Sequence, residues 1–271
     1  MSKKIGALIP VRLTSERLPG KALMEMSGRP VLYHLLDRVA ASRHITSPRD
    51  VVVCTTEAAE DDPLQEAVEA YGASVFRGAV DDIIKRFGDA MTAFDFDAVI
   101  QADGDDPLSA TEYMDATMDR LLDAGAAPVD IVTVDGLPLG CATKSFSREG
   151  MEKVLRRYRT ERNDTGFIYF FTKSGFCAVD TLTCTDPAHR HDKARLTLDY
   201  PVDFEVFSAI FDALYRPGEV FSHAELVAFL NANPDLVERN RSVEEEYWSR
   251  TRDKAQLEFV DEGGNRRQIE V

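Results

Sequence analysis

Basic residues are scarce in this sequence. Its 271 residues include 32 lysines and arginines against 47 aspartates and glutamates, a formal net charge of −15. Binding DNA or RNA normally needs a cationic face that displaces counterions from phosphate, so this composition argues against a general affinity for nucleic acid. Cysteine is sparse too. Cys54, Cys141, Cys177 and Cys184 are scattered without a Cys-x-x-Cys pair, which excludes a disulfide framework and a cysteine zinc site and leaves four reduced thiols. No apolar run approaches the roughly 18 residues that span a bilayer. The start, Met1-Ser2-Lys3-Lys4 followed by five apolar residues, is too short for a signal peptide, so a cytosolic protein without membrane contact is expected. There is no internal repeat and no low-complexity segment. Two nucleotide fingerprints are also missing: Gly20-Lys21 is followed by Ala22, with Ser15 where a P-loop needs glycine, and no Gly-x-Gly-x-x-Gly follows the first strand.

What is present begins at residues 5–21. The apolar run Ile5-Gly6-Ala7-Leu8-Ile9 stops at Pro10 and opens into a loop carrying Arg12, Arg17 and Lys21. A short apolar strand feeding a polar loop is how an α/β sheet presents a ligand site at the end of its first strand. Three cations in ten residues repel unless an anion lies between them, and a polyphosphate would collect them. The other reading is a solvated surface loop. In a chain this acidic, a local cationic loop attracts an anion against the field of the whole molecule.

Downstream, strand and helix patterns alternate, which implies a parallel sheet with helices on both faces. Helices are expected from Pro30 to about Ser42, after Asp61-Asp62-Pro63, from Ile83, and over 111–124; strands at 51–55, 74–76, 97–101 and 130–134. Beyond Gly136 the pattern loosens, with a helix at about 148–159. Phe167-Ile168-Tyr169-Phe170-Phe171 reads as a buried strand or an exposed contact surface. Residues 194–199 read as a strand, followed by a helix from Pro201 to about Leu214. Ser222 and Glu225 form a capping box for a further helix. From about Arg239 the chain is highly charged, which suits a surface segment or one packed on a second subunit, with Tyr247 and Trp248 as packing anchors.

Two acidic sites complement the loop. Gln101-Ala102-Asp103-Gly104-Asp105-Asp106-Pro107 places three carboxylates at the end of a central strand, where a Mg²⁺ ion would relieve their repulsion. A strand-to-helix turn capped by aspartates would give the same spacing, and both readings stay open. Asp199 ends another strand before Pro201, where it reads as a helix cap or as a partner of Asp105 on one metal. His189-x-His191-Asp192 lacks further ligands and reads as a solvated loop rather than a metal site, although His191 is also a candidate acceptor contact.

Ile9-Pro10-Val11-Arg12-Leu13-Thr14-Ser15-Glu16-Arg17-Leu18-Pro19-Gly20-Lys21 resembles the opening motif of the cytidylyltransferases that make CMP-activated sugar acids, most closely their spore-coat polysaccharide branch. Gly28-Arg29-Pro30, Thr55-Thr56-Glu57, Phe76-Arg77-Gly78, Gly104-Asp105-Asp106-Pro107 and Arg195-Leu196-Thr197-Leu198-Asp199 match in order, so the likeness covers roughly residues 4–215. It implies a mostly parallel, Rossmann-like (GT-A-like) α/β nucleotidyltransferase sheet flanked by helices, in a domain spanning 1–235. Residues 137–195 would be an inserted acceptor and dimerisation segment, and 236–271 a charged extension. The resemblance also implies Mg²⁺, CTP as donor and a homodimer. It places Arg12 and Lys21 on the triphosphate, with Arg17 as a further phosphate contact and Pro10 and Gln101 beside the nucleotide. Asp105 and Asp199 would hold the metal, and Arg12, Lys21 and Asp105 would carry the chemistry. An acceptor oxygen would then attack the α-phosphorus and release pyrophosphate.

Some positions depart from the pattern. Sialic-acid-type relatives carry two aspartates in the last motif, and the first of them is Thr197 here. In the acceptor half Lys144 stands where spore-coat relatives have an acid, and Arg162-Asn163-Asp164-Thr165-Gly166 replaces their Glu-His-Val-Thr-Pro. Lys144 would suit an anionic acceptor, or is an exposed surface lysine. Three other functions share these features. They are an NDP-sugar-forming enzyme, a glycosyltransferase using Asp103-Gly104-Asp105 on its metal, and a binding protein that has lost catalysis.

Overall fold

The central strand β1 (Ile5–Pro10) is buried on both faces over its four inner residues, as a parallel strand covered by helices on either side must be. The computed structural model describes residues 3–160, 163, 166–254 and 257–269. After β1 come a two-residue hairpin, β2 (Glu25–Met26) and β3 (Arg29–Pro30), then α1 (Val31–Ala40), β4 (Val51–Thr56) and α2 (Asp62–Tyr71). Next are β5 (Ser74–Gly78), α3 (Ile83–Ala93), β6 (Ala98–Gln101), α4 (Thr111–Leu122) and β7 (Ile131–Asp135). The chain continues through β8 (Lys144–Ser147), α5 (Arg148–Arg157), α6 (Tyr169–Thr172), β9 (Val179–Thr183), α7 (Pro201–Leu214) and α8 (His223–Ala232). It ends with α9 (Pro234–Glu238), α10 (Glu244–Lys254), β10 (Leu257–Val260) and β11 (Arg266–Ile269).

Seven strands form the main sheet in the order β5-β4-β1-β6-β8-β7-β9, parallel throughout except that β8 runs against both its neighbours. The alternation of side chains divides the core. Ala7, Ile9, Val51 and Val53 face α1, α2 and α4, whereas Leu8, Val52, Cys54 and Val99 face α3, α5 and α6. A third cluster gathers Leu196, Leu198, α7, α8 and α9 beside the sheet.

The expected capping box forms, and two further helix ends are marked by an aspartate and a glycine. Asp82 accepts from Lys85 N–H at the start of α3, and Ser222 with Glu225 closes a capping box on α8. Gly72 ends α2 at a φ of 97°.

Four expectations change. Residues 194–199 are not a sheet strand: Leu196 N–H donates to Leu139 O at 2.7 Å and Leu198 N–H to Asp105 O at 2.8 Å, so the segment is tied to two loops. The aromatic run 167–171 is neither strand nor exposed surface. Phe167, Phe170 and Phe171, at helical spacing of three and four, bury themselves in and before α6. Strands β8 and β9 are additions. In β8 only Phe146 is apolar, and the buried Ser145 hydroxyl is satisfied 2.9 Å from Thr117 Oγ1. Lastly, the charged tail is not wholly superficial: Leu257, Phe259 and Ile269 of the β10–β11 hairpin join the core under α3 and α6.

Candidate active site

The chain winds outward from β1 through β4 to β5, then crosses back to β6 on the other side of β1. At such a reversal the loops leaving two adjacent parallel strands part in opposite directions and leave a crevice at their carboxyl ends. Here those loops are 11–21 and 102–107, the cationic and acidic stretches.

Local bonds fix each loop. Leu13 N–H donates to Asp61 Oδ1 at 2.8 Å, and Thr55 and Thr56 hydroxyls hold the other oxygen. Burial opposes charge on Asp61, but these donors outweigh it and keep its pKa below the usual carboxylate range. Gly20 N–H closes the loop onto Leu13 O at 3.0 Å, and a φ of 69° at Gly20 turns Lys21 back toward the crevice. The bond from Leu198 N–H to Asp105 O brings Asp199 against the acidic loop.

The result is a cavity of about 500 Å³ lined by Pro10, Arg12, Arg17, Lys21, Asp105, Lys144 and Asp199 among others. Lys21 Nζ ties the cationic loop to the acidic one. It donates to Leu198 O at 2.6 Å, Asp199 Oδ1 at 3.1 Å and Asp105 Oδ2 at 3.2 Å. Burial works against the ammonium charge, yet Asp105 and Asp199 outweigh it and raise the Lys21 pKa. For Asp105 burial is likewise overcome, chiefly by Lys21, and its pKa falls. Arg17 Nη2 donates to Asp199 Oδ1 at 2.5 Å. Next to them Asp106 is pushed well above the usual carboxylate range by burial and by the charges of Asp105 and Asp103.

The family model for cytidylyltransferases matches residues 6–173, more than half of the chain and the stretch that supplies both loops. The chain belongs to the cytidylyltransferase family. The spore coat polysaccharide biosynthesis protein SpsF of Bacillus subtilis is 26% identical over 230 residues, covering 84% of this chain and 94% of that protein. A 3-deoxy-manno-octulosonate cytidylyltransferase of Pelobacter propionicus is 31% identical over 121 residues, 44% of this chain and 45% of that protein. The structure of a cytidylyltransferase from Leptospira borgpetersenii superposes with a TM-score of 0.78 at 27% identity, over 89% of this chain and 98% of that one. This cytidylyltransferase is therefore a nucleotidyltransferase, and its central sheet is the fold that its sequence implied.

Lys144 is not a surface lysine. Its side chain is 15% exposed and its Nζ lies 2.7 Å from Asp103 Oδ2 inside the cavity. Asp103 thus faces Lys144 while Asp105 faces Lys21, so the Asp103-Gly104-Asp105 triplet is split between two cations, unlike the paired ligands of the glycosyltransferase reading. Gln101 does not line the cavity. It is buried beneath the acidic loop, where its Nε2 donates to Asp103 Oδ1 at 2.9 Å.

His191 lies away from the other candidates. It lines a separate cavity of about 630 Å³ with Arg190, Lys193 and residues of α8 and α9, because the turn at 187–189 is pinned by His223 Nε2 donating to His189 O at 3.0 Å. In the replaced acceptor motif Asn163 caps α3 from the side, accepting from Ile84 N–H at 3.1 Å, and Gly166 lines the cavity. Arg162, Asp164 and Thr165 lie outside the described residues.

Tyr247, Trp248 and Arg250 of α10 also line the cavity, and Trp248 stays 38% exposed instead of anchoring the tail by burial. An aromatic pair in a charged tail was the only sequence signal for them. Among the described residues no cluster of three or more His, Cys, Asp or Glu side chains is placed to cage a metal. Asp105 and Asp199 offer two hard carboxylates that already share one cation, Lys21. That donor set fits Mg²⁺, which takes one or two protein carboxylates and completes its shell with phosphate oxygens and water.

Proposed function

We propose that this cytidylyltransferase uses CTP with Mg²⁺ and transfers CMP to a small anionic acceptor, a sugar acid, releasing pyrophosphate. The observation that carries this reading is the meeting of Arg12, Arg17 and Lys21 with Asp105 and Asp199 in one cavity of a chain whose net charge is −15.

The roles follow from position. Arg12, Arg17 and Lys21 bind the triphosphate and offset its charge, the largest contribution open to a protein in phosphoryl chemistry, where positioning and electrostatics supply most of the rate. Asp105 and Asp199 would hold Mg²⁺, which when bound neutralises the triphosphate and the departing pyrophosphate. Lys144 faces the acceptor and favours one bearing carboxylate, phosphate or phosphonate. An acceptor oxygen attacks the α-phosphorus, forming one P–O bond as the bond to pyrophosphate breaks. The names of SpsF and of the 3-deoxy-manno-octulosonate enzyme, a polysaccharide protein and a sugar-acid cytidylyltransferase, support this acceptor class.

Thermal stabilisation by CTP, GTP, UTP, ATP, dTTP and a nucleotide-sugar, each with and without Mg²⁺, tests the donor, because a ligand that binds only the native state raises its stability by mass action. A Mg²⁺-dependent shift with CTP alone is expected. A shift with a different triphosphate would reassign the base, and a shift only with a nucleotide-sugar would overturn the reading.

A further inference from the structure

Asp199 carries a guanidinium on each oxygen. Arg17 Nη2 donates to Oδ1 at 2.5 Å and Arg195 Nη2 to Oδ2 at 3.4 Å. The same two tyrosine rings flank both arginines. Arg17 Cζ lies 5.0 Å from the ring centroid of Tyr200 and 6.0 Å from that of Tyr247, and for Arg195 Cζ the distances are 5.8 and 4.5 Å. Two like charges this close repel, and the negative faces of the rings act with the carboxylate to offset that repulsion.

Arg195 depends on this arrangement. It is 2% exposed; its Nη2 also pairs with the buried Asp203 Oδ2 at 3.2 Å, while its Nε and Nη1 have no hydrogen-bond partner among the described residues, so the ring faces are what meets the guanidinium on that side. Tyr200 belongs to the segment that delivers Asp199. Tyr247 comes from α10, well beyond the matched stretch 6–173. One turn further along α10, Arg250 donates to Glu16 Oε2 at 2.9 Å. The C-terminal helix thus holds two consecutive residues of the phosphate loop, Glu16 and Arg17.

We propose that Tyr247 is a positioning residue for nucleotidyl transfer: its ring completes, with Tyr200, an aromatic bracket that holds Arg17 ready for the triphosphate. This inference rests on the triphosphate reading given above. Trp248, the sole tryptophan, lines the same cavity, so its fluorescence reports ligand arrival independently of turnover.

The experiment titrates the full chain and its Tyr247→Phe and Tyr247→Leu variants with CTP and Mg²⁺, following Trp248 fluorescence and steady-state pyrophosphate release. Loss of the ring in Tyr247→Leu should raise both the dissociation constant and KM for CTP about tenfold, the size expected of a partly desolvated cation–π contact, with a smaller change in kcat. Tyr247→Phe keeps the ring and should restore CTP binding to within about twofold of the parent. Unchanged CTP affinity in the leucine variant would overturn the proposal. So would a phenylalanine variant as impaired as the leucine one, since the hydroxyl rather than the ring would then be responsible. If the parent chain itself gives no response to CTP, the functional reading falls and this inference falls with it.

Discussion

A Cβ on Gly104 would stand 2.3 Å from the carbonyl oxygen of Pro10 and 2.7 Å from Val11 Cγ2. The acidic loop after β6 and the cationic loop after β1 therefore touch backbone to side, and glycine is the residue that lets Asp105 reach Lys21. Gly104→Ala cannot be absorbed by a flexible side chain, because its nearest obstacle is main chain. The expected cost is that of overpacking, about 1–3 kcal/mol of stability, together with loss of transfer activity as the loops part. Urea denaturation and pyrophosphate release measure the two. An alanine variant with full stability and activity would show that the loops separate freely.

Lys21 supplies the next expectation. Its ammonium bonds Asp105 and Asp199, so in the free protein it neutralises the carboxylates and with substrate it meets phosphate. Lys21→Ala should weaken CTP binding by about 1.5–3 kcal/mol, the value of a charge-assisted hydrogen bond, and weaken CMP binding far less. Isothermal titration with the tri-, di- and monophosphate checks it. Equal losses for all three ligands would remove Lys21 from the triphosphate site.

Asp105 and Asp199 differ in a way that isolates the metal. Asp199 is held by Arg17, Arg195 and Lys21, whereas among the described residues Asp105 forms its ion pair with Lys21. Asp105→Asn therefore leaves the scaffold of the site in place and should abolish Mg²⁺-dependent turnover with little change in melting temperature. Turnover at the parent rate would exclude Asp105 as a ligand.

Lys144 tests the acceptor half. Replacing it by glutamine keeps the length near that of the lysine and removes the charge, while its partner Asp103 stays fixed by Gln101. Once an acceptor is in hand, Lys144→Gln should raise the acceptor KM by about tenfold to a hundredfold, again the worth of one charged contact, and leave the CTP KM near the parent value. A selective rise in the CTP KM would move Lys144 to the donor side.

How far the sequence revealed this site depends on where each residue sits. The parallel half of the sheet was legible because β1, β4 and β6 are buried on both faces and write continuous apolar runs, and because Asp82, Gly72 and the Ser222–Glu225 box mark helix ends chemically. That Arg12, Arg17, Lys21 and Asp105 meet in one cavity was legible because they stand in the loops that leave two adjacent parallel strands at a topological switch. The antiparallel β8 was not, since a strand paired on both sides can satisfy Ser145 through Thr117 and needs one apolar residue. Nor was the distance of His191 from the others, which hangs on a bond from His223 to a backbone carbonyl. Tyr247 was placed by docking of α10 across more than two hundred residues, a relation no local pattern records.

Buried histidines predict the response to pH. Burial lowers the pKa of His34 and of His223 from the ordinary 6.5, and each ring donates through Nε2 to a carbonyl, Met26 O at 2.9 Å and His189 O at 3.0 Å. The Nδ1 of His223 is buried with no partner among the described residues, so protonation there would create an unsatisfied buried donor. Between the lowered native pKa and 6.5 the unfolded chain binds more protons than the native one, so stability present above pH 6.5 is lost as the pH falls through that window. Asp106 acts in the opposite sense, because its native pKa is raised and the native state is the better proton binder. Comparing variants cancels that contribution. Between pH 7.5 and 5.5 the melting temperature of the parent should drop relative to that of the His34→Gln/His223→Gln double variant, whose own midpoint at pH 7.5 is lower through lost ring packing. Parallel pH profiles for the two proteins would show that neither histidine governs acid stability.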